Sequence, residues 1–188
     1  MRDTAFAGRL YMLLWDTDID LMTYYDPNDA KSIGFDFSRN VLPLLELHGE
    51  AGYFIDKAKY TIAGTATELA RFDGFSYLIG LRWLNRWNMT TILEYYHDDA
   101  GLTANEFTDY AYFKVSWPEP FNFVDFTPAV FAIYNIADMS ALVGISAGYK
   151  PFTNFEFNAS ASIPMGASGT EYGIRPSIPL KLTARFFF

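Results

Sequence analysis

Apolar and polar residues alternate along almost the whole chain, and no other feature limits the fold so strongly. The last stretch shows it most plainly. From Leu180, the residues Leu180, Leu182, Ala184, Phe186 and Phe188 fall on one side of an extended chain, and Lys181, Thr183, Arg185 and Phe187 on the other. Successive side chains of a strand point to opposite faces, so such a stretch has one apolar and one polar surface. Segments 5–15, 18–25, 32–39, 44–55, 72–84, 88–97, 107–117, 140–149 and 155–163 alternate in the same way, and 123–134 reads as a strand of ambiguous facing. With the last stretch these make about eleven strands. Turn signals stand between them, at Asp16-Thr17, Asp26 to Asp29, Asn40 to Pro43, Asn85 to Trp87, Pro118 to Pro120 and Lys150 to Asn154. Pro, Asn and Asp favour tight turns because they pre-set or tolerate the backbone angles required. Residues 56–71 read as a longer connection, with a short helical turn over 67–70.

The connections alternate in character. Those near Asp16, Asn40, Asn85, Pro118 and Pro151 are tight, and those near Pro27, Asp56, Asp98, Ile136 and Gly166 are longer or more polar. Short turns on one side and longer loops on the other mark an up-and-down barrel in a membrane. A soluble sandwich gives no reason for that parity. The chain is 51% hydrophobic and 19% aromatic, yet its mean hydropathy is only +0.03. It has no run approaching the roughly 18 apolar residues of a spanning helix. Barrel strands escape that measure because lipid-facing and interior residues average out.

The closing stretch, Leu182-Thr183-Ala184-Arg185-Phe186-Phe187-Phe188, resembles the last strand of bacterial outer-membrane β-barrels. What the resemblance implies is an all-β fold, an antiparallel transmembrane up-and-down β-barrel of the porin-like kind, in the bacterial outer membrane. It also implies that Phe186 and Phe188 form an insertion signal read by the barrel-insertion machinery. Single-chain bacterial barrels ordinarily have an even strand count. Eleven strands and no visible signal peptide therefore lead to the expectation that residues 1–188 are one domain, the C-terminal part of a larger, incomplete barrel, with the edges at 5–15 and 180–188 unpaired. The resemblance covers most of the chain as a pattern, but only the terminal strand as a motif.

Aromatics fall into two groups. Trp15, Trp83, Trp87, Trp117, Phe121, Phe123, Phe152, Phe155, Phe186 and Phe188 lie toward one end of the strands, and Tyr25, Phe75, Tyr95, Tyr110, Tyr134 and Tyr172 toward the other. Rings with a polar edge prefer the headgroup level, so two girdles are expected. The side opposite the apolar stripe carries Arg9, Asp20, Asp36, Glu46, His48, Glu50, Arg82, Glu94, Lys114, Glu156, Lys181 and Arg185. Placing Arg or Lys against lipid at the midplane costs about 2–4 kcal/mol, so these residues are candidates to line a lumen. The acids concentrate in the early strands and the bases later. Either the charges line a selective pore, or they pair and fill a closed barrel that is structural or adhesive and acts through its loops.

The sequence offers little chemistry. His48 stands between Glu46 and Glu50, with Asp36 expected on the neighbouring strand, but no serine is near in sequence to act as a nucleophile. His97-Asp98-Asp99 sits where a strand meets a loop and reads as solvated. Outer-membrane proteases use a comparable rim set, but their paired Asp motif is not matched. With no cysteine, and no phosphate-binding, zinc or calcium motif, no metal and no cofactor is expected. A net charge of −8 argues against nucleic acid. The expected partners are outer-membrane lipid, the insertion machinery, small polar or anionic solutes, and further copies of the chain in a homo-oligomer. The chain reads as a channel, not an enzyme.

Overall fold

The computed structural model describes residues 4–27, 31–63, 66–99, 108–173 and 178–188, with backbone alone over 58–63 and 66–70. They form β1 (Phe6–Leu14), β2 (Thr17–Tyr25), β3 (Lys31–Leu42), β4 (Leu45–Ala63), β5 (Ala66–Leu84), β6 (Thr90–Asp98), β7 (Asp109–Ser116), β8 (Phe126–Asn135), β9 (Ser140–Phe152), β10 (Phe155–Met165) and β11 (Leu180–Phe186). The strands pair antiparallel in chain order as one up-and-down sheet. Among the described residues the order is linear, with β1 and β11 at its ends and no pairing between them, so the sheet is not closed into a barrel. By its contacts the chain divides into two compact units, Met1–Leu81 with Tyr95–Asp109, and Arg82–Glu94 with Tyr110–Phe188.

The turns explain most boundary differences. The first turn is Trp15-Asp16 rather than Asp16-Thr17, with φ of 50° and 57°. Two successive left-handed residues make the hairpin turn whose twist matches the flanking strands. Thr17, β-branched, is free to open β2 opposite Leu14. At the β5–β6 turn the Asn85 side-chain oxygen accepts the backbone N–H of Trp87 at 2.9 Å and of Met89 at 3.0 Å. The long connection and helical turn expected over 56–71 are absent, because β4 and β5 each run for 19 residues. Tyr60, Thr61 and Ile62 continue the β-branched and aromatic composition that strands favour. β11 stops at Phe186, so Phe188 lies beyond the strand, although the Phe187 N–H still donates to the Asn154 carbonyl at 2.9 Å.

Register sorts the side chains onto two faces. In the first unit Ile33, Phe35 and Tyr53 share the apolar face: Ile33 lies opposite Tyr53, and Phe35 opposite Ala51. In the second unit Val130 lies opposite Ile145, Ile145 opposite Ala161, and Ala161 opposite Leu180. The ambiguous eighth strand is thereby resolved, with Val130 and Tyr134 on the apolar face. That face is uncovered: Ile33 is 64% exposed, Ile145 62% and Leu180 69%. Among the described residues Tyr110 is the one buried hydrophobic side chain. A domain of this size in water ordinarily buries about 70% of its unfolded surface around an apolar core. Here the apolar residues face outward instead. Among the described residues no helix is long and apolar enough to cross a membrane.

Two glycines admit rings that would otherwise clash. A Cβ on Gly144 would stand 2.3 Å from the Phe131 ring, and one on Gly49 would stand 2.7 Å from Phe37. Each aromatic covers the glycine directly across its own ladder.

Candidate functional site

The polar face is the site, and each unit carries its own part. In the first unit Tyr11, Asp20, Asp36 and Glu50 form one row across β1 to β4. Carboxylates directly opposite one another repel, and Arg9 offsets part of this. Its Nε donates to Asp20 Oδ1 at 2.6 Å and its Nη2 to Oδ2 at 2.7 Å, the two-pronged geometry that guanidinium and carboxylate match best. Tyr11 donates to Asp18 beside it. His48 Nδ1 lies 3.6 Å from Glu46, and Ser38, not Asp36, stands opposite His48. Asp36 is on the neighbouring strand as expected but faces Glu50.

In the second unit the polar face carries Lys114, Lys150, Lys181 and Arg185. Ser116, Ala129, Ser146, Ser160 and Lys181 lie directly opposite one another along a single row. Thr127, Gly148, Asn158 and Thr183 form the next row, and Glu156 faces Arg185 beyond it. These small side chains leave a hollow of about 670 Å³ whose lining carries four bases, Lys114, Lys150, Lys181 and Arg185, and three acids, Glu119, Asp125 and Glu156. Glu156 accepts a hydrogen bond from Asn158 at 2.7 Å. The predicted residues Glu94 and Arg82 also belong to this unit but do not line the hollow. Another hollow of the same unit, about 550 Å³, is lined mostly by apolar-face residues such as Val115, Ile145 and Leu180.

Sequence reasoning missed a polar hub. Asn135 and Ser140, both fully buried, hold the segment 166–173 that follows β10. Glu171 accepts from Asn135 Nδ2 at 2.6 Å and from the Tyr110 hydroxyl at 2.9 Å. Asp138 accepts from the Glu171 N–H at 2.6 Å, and from the Ser140 N–H and hydroxyl at 2.9 and 2.6 Å. Burial alone would raise the Asp138 carboxyl, but these hydrogen bonds outweigh it and hold the group below its ordinary value. The Tyr172 phenol is pushed up to about 12 by burial and by the Glu171 charge. Tyr110 therefore leaves the girdle to which the sequence assigned it. It lies opposite Asn135 on the polar face, where its hydroxyl meets a carboxylate. An Asn and a Ser placed exactly at two strand ends were the only signal, and turns carry such residues routinely.

His97 is knit in rather than solvated. Its ring nitrogens lie 2.9 Å from Asp109 and 3.0 Å from Asp99, and it stacks on Tyr77. Asp109 also accepts from the Tyr95 hydroxyl. The hydrogen bond from His97 and that from the Phe75 N–H hold Asp99 below its ordinary value. By alternation His97 shares the side of exposed Leu93, which is the apolar side of β6. Among the described residues no group of three His, Cys, Asp or Glu could hold a metal ion. No known protein family matches the chain, and no curated protein matches it in sequence.

Proposed function

We propose that the chain is an outer-membrane porin-like protein whose polar face lines a passage for small polar or anionic solutes, and that it performs no chemistry. The observation that carries this reading is the uncovered apolar face. An apolar surface that runs across β3 and β4 and across β8 to β11 needs a covering, and lipid supplies it over the whole length of a strand. Closing the polar face away from lipid then leaves charges that water and solutes can reach. The cations of the second unit favour anions over cations at that point of the path. Outer-membrane lipid and the insertion machinery are the partners this reading requires, with Phe186 and Phe188 at the end that the machinery reads.

Planar-bilayer recording of the refolded protein tests it. Stepwise conductance with a reversal potential favouring anions is the expected result, and Lys114→Glu with Lys181→Glu shifts that potential toward cations. Insertion without conductance would instead favour a closed barrel acting through its loops. A protein that stays monomeric in buffer without detergent and ignores vesicles would overturn the membrane reading altogether.

A further inference from the structure

We infer that the hollow of the second unit is a binding subsite for a small hydroxylated dicarboxylate. The inference rests on the passage reading for the route its ligand takes, though not for the binding chemistry. Three features of the hollow point to that class. First, its cations are available: among the described residues no hydrogen bond or ion pair engages Lys114 or Lys181. Second, these two cations bracket the hydroxyl row. Lys114 lies two residues before Ser116 on β7, and Lys181 ends the row of Ser116, Ser146 and Ser160 on β11. A ligand lying along that row meets an ammonium toward each end and hydroxyls between, each of which can donate and accept. Third, the floor is shallow because its side chains are small, which makes the room. About 670 Å³ falls within the range of roughly 300–1,000 Å³ that small-molecule sites occupy.

A neutral polyol would leave Lys114 and Lys181 unpaired, since none of the lining acids Glu119, Asp125 and Glu156 bonds either ammonium. An apolar dianion would leave the three serine hydroxyls without partners, and a site built to hydrogen-bond a hydroxyl discriminates strongly against the analogue that lacks it. A six-carbon chain with a carboxylate at each end and hydroxyls between satisfies both sets.

Three six-carbon probes separate these contributions: D-glucarate, adipate and sorbitol. Calorimetric titration of the refolded protein in detergent micelles should show glucarate binding at least about tenfold tighter than either of the others, since each probe loses one set of charge-assisted or neutral hydrogen bonds. Lys181→Gln should weaken glucarate about tenfold, and Ser146→Ala with Ser160→Ala should erase its advantage over adipate. Lys31→Gln, far from the hollow in sequence and in the other unit, should change nothing. Equal binding of glucarate and adipate overturns the role of the hydroxyl row. Equal binding of glucarate and sorbitol overturns the role of the cations, and no binding of any probe overturns the subsite. Conductance is read separately, so selective glucarate binding without conductance would sink the passage and leave the subsite standing.

Discussion

Asp138 shows how much one side chain can hold. It caps the start of β9 through Ser140 and ties in the 166–173 segment through the Glu171 N–H. Removing the charge should loosen that segment, at about 1–3 kcal/mol for the hydrogen bonds lost. Asp138→Asn is expected to speed proteolysis within 166–173 while leaving the sheet intact, and limited digestion with mass spectrometry reads this. The pH dependence has a definite sign. A carboxyl whose folded value is depressed contributes its stability above its unfolded value, near 3.9, and loses it as pH falls through the folded value. The segment should therefore stay protected at neutral pH and open only in acid below about pH 4; protection unchanged in acid would count against the role given to Asp138. Gly144 makes the opposite kind of demand, for empty space. Gly144→Val drives a side chain into the Phe131 ring, and overpacking of this kind costs about 1–3 kcal/mol. Phe131→Ala in the same chain should return part of that loss. Simple additivity of the two changes in a denaturant titration would show that the ring and the glycine are not coupled.

At the scale of the strand, facing decides everything. Ile145 and Ser146 are adjacent on β9, yet Ile145 belongs to the exposed apolar face and Ser146 to the hydroxyl row. If lipid covers the first face, Ile145→Arg should cost about 2–4 kcal/mol near the midplane, while Ser146→Arg should cost far less. Folding into vesicles, followed by gel mobility and urea titration, measures both. A larger penalty at Ser146 would mean that β9 faces the other way. β4 and β5 extend the same logic in length. At about 3.3 Å per residue, a strand of 19 residues far exceeds the 9–11 that a tilted span requires. In the membrane reading this hairpin projects well beyond the bilayer on the side of the longer loops.

At the scale of the molecule, the membrane reading uses the parity of the connections to assign the sides. In the second unit the β5–β6 turn and the two-residue turn Thr153-Asn154 stand at one end of the strands. The 166–173 segment and the β8–β9 turn stand at the other. Single cysteines introduced into a chain that has none should react differently on intact cells: Ser168→Cys labels with an impermeant maleimide, and Arg86→Cys does not. The reverse pattern would invert the proposed topology. By the same parity the sequence leads to the expectation that Thr65 and Ala104 stand on the side of the longer loops, and both lie outside the described residues.

The alternation in the sequence determined the strand count, the antiparallel meander and the separation of an apolar from a charged face. Each is a local consequence of a two-residue repeat interrupted by turn residues. The placement of Arg9, Asp20, Asp36, Glu50, Lys181 and Arg185 on the charged face followed from the same repeat. Tertiary structure decided what crosses between strands. Register alone aligned three serines with Lys181, set Glu156 against Arg185, and turned Val130 and Tyr134 outward on the strand whose own pattern was ambiguous. It also drew Tyr110 from an expected girdle into contact with Glu171, 61 residues away in the chain. Alternation fixes only which side a residue occupies. Which residue of the next strand it meets depends on turn geometry and on the summed pairing of the whole ladder, and no short window of sequence contains that sum.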